Sequence, residues 1–251
     1  MKGWSIAGML LAALCSAGAA HAQQKANICD VPAYLLFSDI ALNRVAAAVG
    51  SQKRLNIAVI GTVSSSLGAT SKAYPARLEE ALRNRLPGIV IEIETQVMPR
   101  QSAAEMVGQF AKFLSGKKPV LAIWQVGTVD AMRGIEPEDF RTALDEGVEM
   151  LQAAGADVIL MNMQYSPRTE SMIALGTYVD SMRLVSRDRD APLFDRLSIM
   201  RHWSESGDFD LSAATKDSAL AERVHDCIGR ALAAMIIDAA QLGAVEAKAP
   251  K

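Results

Sequence analysis

Three consecutive serines lie in Gly61-Thr62-Val63-Ser64-Ser65-Ser66-Leu67-Gly68, directly after an apolar run. Small residues let a chain turn sharply and leave backbone N–H groups free, so such a loop can present a serine nucleophile. The same serines also suit a plainer task, capping the helix that follows, and serine is common in loops for that reason. Other chemistries lack their residues. The phosphate cradle GxxxxGK followed by Ser or Thr does not occur. Neither does the GxGxxG of a dinucleotide site, so no cofactor is expected. The cysteines and histidines do not cluster at ligand spacing, so no metal is expected.

A loop serves chemistry only where elements hold it. Leu55–Ile60 (LNIAVI), Pro119–Val126 (PVLAIWQV) and Asp157–Met163 (DVILMNM) are continuous apolar runs, the pattern of strands covered on both faces. Ile89–Glu94 alternates apolar and acidic residues, which places it near a sheet edge. Leu197–Met200 reads as a short fifth strand. Between the strands come amphipathic helices: Tyr74–Leu86 with Leu78, Leu82 and Leu86; Ser102–Leu114 with Met106, Phe110 and Phe113; and Pro137–Ala154 with Phe140, Leu144, Val148 and Leu151. Val31–Val49, Thr169–Arg187 and Leu220–Ala240 complete the set, and the charges from Arg187 to Asp190 read as a solvated end. Strands alternating with helices build an α/β fold, a three-layer, doubly wound parallel sheet of about five strands, flavodoxin-like in its winding. Ligands in such sheets sit at the carboxyl ends of the strands. The loops to inspect are therefore 61–68, 96–101, 127–134 and 164–168.

The chain ends set the compartment. Met1–Ala22 has Lys2, an apolar run from Ile6 to Leu14, and Ala20-His21-Ala22, the layout of a secretory signal peptide. Residues 23–251 are then one domain, periplasmic or secreted. No later stretch is long and apolar enough to span a bilayer, so no stable membrane insertion is expected after cleavage. With 26 basic and 28 acidic residues scattered along the chain, nothing points to nucleic acid. Cys29 and Cys227 remain in the mature chain. An oxidising compartment allows them to pair, and two buried thiols are the alternative.

IAVIGTVSSSLGA, YPARLEEALRNRLPG, KPVLAIWQVGTVDAMRG and LQAAGADVILMNMQYSP together resemble the SGNH/GDSL hydrolases. The similarity is greatest to an exported bacterial branch, of which this chain looks like a divergent member, and it covers roughly Cys29 to Ala240. The resemblance implies four functional loops. A serine in the first is the nucleophile. A glycine N–H in the second and an asparagine in the third complete the oxyanion hole. A histidine before the last helix is the base, and an aspartate three residues earlier orients it. These groups are what acyl transfer requires. Carried over by position, the serine falls at Val63, the glycine at Arg100, the asparagine at Val129, the aspartate at Lys216 and the histidine at Ala219. All the sites depart together.

A shifted triad of Ser64, His225 and Glu222 keeps the acid-x-x-histidine spacing, but His225 sits within the periodic stretch of the final helix. His202, in Met200-Arg201-His202-Trp203, belongs by resemblance to a stretch that supports the fold. Asp130 beside Val129 cannot replace a hydrogen-bond donor when ionised. The leading expectation is an exported SGNH-fold protein that has lost catalysis and binds a ligand or partner. That partner would be an envelope glycan, an acyl ester or another protein. Arg100, Arg133 and Arg168 in strand-end loops are candidates to hold an anionic group, and ordinary solvated surface is the plainer alternative. The second expectation is an active carboxylic-ester hydrolase, removing acyl or acetyl groups from an envelope lipid or polysaccharide.

Overall fold

A computed structural model describes residues 29–62, 71–116, 118–212 and 218–244. The serines at 64–66, Val63, Lys216 and the Met1–Ala22 segment lie outside these residues. Five strands, β1 (Arg54–Gly61), β2 (Val90–Val97), β3 (Leu121–Gln125), β4 (Asp157–Met161) and β5 (Leu193–Phe194), form one sheet in the order β2-β1-β3-β4-β5. Every pairing is parallel. The three central strands are buried almost throughout, whereas β2 at the edge is exposed or half-buried at every position but Ile91. That difference is the one between continuous and alternating apolar sequence.

Helices flank the sheet. α3 (Tyr74–Arg85) packs against α10 (Ser218–Ala239). In the second group α4 (Ala103–Leu114), α6 (Pro137–Ala153) and α8 (Gly176–Asp188) pack in succession. Where α10 crosses α3, Gly229 leaves no room for a side chain: a Cβ there would stand 2.6 Å from Arg77 Cβ and 2.7 Å from the Leu78 backbone nitrogen. α4 opens with a capping box, in which Ser102 and Glu105 satisfy each other's backbone N–H groups. Cys29 and Cys227 are joined by a disulfide, with Cα atoms 5.0 Å apart across a sequence separation of 198.

Four segments differ from the sequence reading. Val31–Val49 is not one helix but α1 (Ala33–Leu36) and α2 (Asn43–Gln52). Between them the Ile40 N–H donates to Ser38 Oγ at 3.2 Å, and the Leu42 N–H donates to the Ala239 carbonyl at 3.0 Å. These local and long-range bonds replace helical ones. Thr169–Arg187 divides into α7 (Pro167–Met172) and α8, because Ile173 is extended and the chain steps inward to bury Leu175. The fifth strand is Leu193–Phe194, and Leu197–Met200 belongs to α9 (Arg196–Glu205). Asp195 ends the strand by accepting the Ser198 N–H at 3.0 Å, as a helix N-cap does. The charged run at 187–190 is also not merely solvated, since Arg189 pairs with Asp145 and Glu149. α5 (Thr128–Arg133) follows β3 and completes the elements used below.

Candidate functional site at the carboxyl ends of the strands

Three of the positions carried over from the resemblance are described. Arg100 is exposed and holds a φ of 61°, in the left-handed region that glycine occupies most readily. Its backbone still supplies an N–H, which is all that this position contributes to an oxyanion hole. Val129 lies in α5, half-buried, with no polar side-chain atom to offer in place of an amide. Ala219 stands exposed in the first turn of α10.

The floor between β1, β3, α3 and α10 is a hydrogen-bonded chain. Gln125 Nε2 donates to Thr62 Oγ1 at 3.1 Å, and the Tyr74 hydroxyl donates to Gln125 Oε1 at 3.3 Å. The Tyr74 backbone N–H then donates to His225 Nδ1 at 2.9 Å. That last bond fixes the tautomer: a neutral imidazole accepting at Nδ1 carries its proton on Nε2. A catalytic histidine is arranged the other way, with Nδ1–H donating to the acid and Nε2 free to accept from serine. Burial, reinforced by the charge of Arg196, pushes the His225 pKa down to about 4. Glu222, the acid one turn away, is engaged elsewhere, 2.7 Å from Lys72 Nζ. His202 lies in the last turn of α9 and does not line the cavity described next.

That cavity has a volume of about 290 Å³ and lies over α9 and α10, with Tyr74, residues 164–166, Asp210 and Leu211 also lining it. Arg196 borders it. The first residue of α9, Arg196 is only 3% exposed, and its Nε and Nη2 atoms are buried without a hydrogen-bond partner. Burial pushes its pKa down to about 10, with Tyr74 opposing the shift slightly. The helix start that carries it is held firmly. Asn162, fully buried at the end of β4, donates from Nδ2 to Asp195 Oδ1 at 2.6 Å and accepts the Leu197 N–H at 2.9 Å. Arg183 Nη2 donates to Asp195 Oδ2 at 3.1 Å. Burial raises the Asp195 pKa, yet the bonds from Asn162, Ser198 and Arg183 outweigh it and hold the carboxyl below its usual range. Arg196 was not a sequence candidate. The only signal was a lone basic residue in the otherwise apolar-flanked string LFDRLSIM.

The three arginines singled out from the sequence do not converge. Arg133 Nη1 donates to Glu105 Oε2 at 2.9 Å, and its Nη2 donates to the Arg100 carbonyl at 2.7 Å. The two therefore meet, through backbone, at an exposed corner. Arg168 is exposed on α7, with no hydrogen bond or ion pair to either among the described residues. Asp130 is 1% exposed and turned inward, accepting the Ala103 N–H at the start of α4 at 2.8 Å. Burial raises its pKa against the pull of that bond. Among the described residues no group of acidic, histidine or cysteine side chains is arranged to hold a metal, and no helix is long and apolar enough to cross a membrane.

The sequence profile of the non-GDSL lipase-like family matches residues 28–242. Esterase TesA of Pseudomonas aeruginosa is 26% identical over 137 residues, which is 54% of this chain and 66% of that protein. The chain thus spans just under two thirds of that relative's length. Among solved structures, a crystal structure of TesA matches with a TM-score of 0.56 at 17% identity, covering 72% of this chain and 99% of the other. AlinE4, described as an SGNH-hydrolase family esterase, matches with a TM-score of 0.52 at 21% identity over 78% and 98% of the two chains. A catalytic mutant of Axe2, an acetylxylan esterase from Geobacillus stearothermophilus, matches with a TM-score of 0.59 at 13% identity over 72% and 94%. At these identities the likeness is one of fold.

Proposed function

The chain belongs to the non-GDSL lipase-like family, and from that premise we propose that it keeps the fold of an SGNH-type esterase without its hydrolysis, acting as an exported binding or accessory protein. The observation that carries the reading is the hydrogen bond from the Tyr74 N–H to His225 Nδ1. It leaves the ring protonated on the nitrogen that would have to accept a proton from serine. The depressed pKa of His225, the engagement of Glu222 by Lys72 and the hydrocarbon side chain of Val129 support it. Without base and amide donor, the cleft is left with the capacity to hold a ligand. The signal-like pattern of Met1–Ala22 and the Cys29–Cys227 bond support a periplasmic or secreted location. An envelope glycan or a protein partner fits that location.

Fluorophosphonate labelling of the purified protein, run beside an active relative, tests the reading. No adduct and no turnover of nitrophenyl acetate are expected, and Ser64→Ala should change neither result. A covalent adduct on any serine from Ser64 to Ser66, formed as fast as on the relative, would sink it. Such an adduct would establish the second reading, an active carboxylic-ester hydrolase, which the names of TesA and Axe2 favour.

A further inference from the structure

A guanidinium is always charged in proteins, and burying one without a partner is costly. Proteins place buried charges beside a counter-charge or bind one. Arg196 has neither a carboxylate nor a carbonyl on Nε or Nη2, and its neighbours Asn162 and Asp195 bond to each other, to backbone and to Arg183 instead. The space that it borders is about 290 Å³. A water molecule takes about 30 Å³ in the liquid, so the cavity has room for about ten groups of that size. Its wall is divided. Met200, Leu220, Val224 and Ile228 form an apolar side, while Tyr74, Gln164, Ser166 and His225 offer polar groups. Among the described lining residues Asp210 is the acidic one; it is exposed, and Ser212 donates to it.

The geometry points to a carboxylate-binding site: Arg196 is the counter-charge for the carboxylate of a small molecule whose apolar part lies against Met200, Leu220, Val224 and Ile228. A planar guanidinium gives parallel N–H donors that match two carboxylate oxygens. The helix start is pre-set by Asn162 and Asp195, so little order remains to be imposed on binding. The inference rests on the ligand-holding reading above and names the ligand's chemistry. The carboxylate can come from a free aliphatic acid or from a sugar acid of a glycan, and the two have different tails.

Calorimetry on the purified protein with its disulfide intact distinguishes them. The probes are sodium hexanoate, sodium glucuronate and inorganic phosphate, each up to about 10 mM. Binding of either carboxylate, weakened about 10- to 100-fold by Arg196→Met, is expected. Hexanoate as the tighter probe assigns an aliphatic acid, and glucuronate a sugar acid. Absence of carboxylate binding, phosphate binding tighter than both, or unchanged affinity in Arg196→Met would overturn the site. Should Arg196→Met fail to fold, Ala221→Trp fills the cavity from α10 and is expected to abolish binding; unchanged affinity there overturns the site as well. Fluorophosphonate on the same sample separates the two proposals. Labelling together with Arg196-dependent binding ends the non-catalytic reading alone, and neither labelling nor binding ends the carboxylate site alone.

Discussion

Arg133 and Arg196 both stand at the carboxyl end of the sheet, and their surroundings differ in kind. Arg133 is exposed, and its two terminal nitrogens are engaged by Glu105 and the Arg100 carbonyl. Arg196 is buried, and its Nε and Nη2 have no partner. An exposed ion pair gains little over hydration, so the first arrangement is local trim that ties α5 to α4. A buried, unpaired cation is a standing cost that folding alone does not explain. The contrast teaches where to look for a ligand. Of the exposed arginines that suggested anion binding in the sequence, Arg133 is already satisfied, and the buried charge without a partner is one that the sequence hides.

The largest effect should fall on the buried side. In the absence of ligand, Arg196→Met is expected to stabilise the protein by about 1 to 4 kcal/mol, since an isolated buried charge is replaced by an apolar chain of similar length. Urea denaturation measures this, and a destabilised variant would erase the contrast. His225 sharpens it next. Its folded pKa of about 4 lies below the ordinary 6.5, so the unfolded chain takes up a proton that the folded one refuses. The associated stability is complete above pH 6.5 and is lost as pH falls toward 4, by at most about 3 kcal/mol. His225→Asn, which can still accept the Tyr74 N–H, should flatten that part of the pH profile. A profile as steep as the original would show that another group titrates.

Asn162→Ala should cost about 2 kcal/mol, because it leaves the buried Leu197 N–H unpaired and frees Asp195. It should also weaken any carboxylate binding, as Arg196 loses its fixed helix start; binding at full strength would show that Asn162 does not position it. The smallest effect belongs to the exposed corner. Arg133→Met should cost less than about 1 kcal/mol and leave ligand binding unchanged. A loss of several kcal/mol would place the two arginines in one class.

Much of the fold could be read from pattern. The runs LNIAVI, LAIW and DVILM became the buried strands β1, β3 and β4, and the acidic alternation of IEIE marked the edge strand β2. These assignments worked because burial on one or both faces dictates period. The breaks at Ser38–Ala41 and Ile173–Leu175 could not be read so, because they depend on bonds and burial supplied by distant residues such as Ala239. The fifth strand begins four residues earlier than expected, at Leu193, because Asp195 caps a helix that periodicity alone does not announce. The site was harder still. The inward turn of Asp130 depends on α4, and the burial of Arg196 on the cavity walls contributed by α3 and α10. Neither is a property of the segment in which the residue stands.

The Cys29–Cys227 bond makes a covalent hoop of nearly the whole described chain, its two anchors 198 positions apart. Loop-closure entropy for a hoop of that size corresponds to about 5 kcal/mol as an upper figure. Its second sulfur belongs to the final helix, so an elongating chain must reach that helix before the clasp can shut. The bond therefore seals a finished topology and cannot steer an early one, and non-reducing gels of chains stopped before α10 should show no faster-migrating oxidised form.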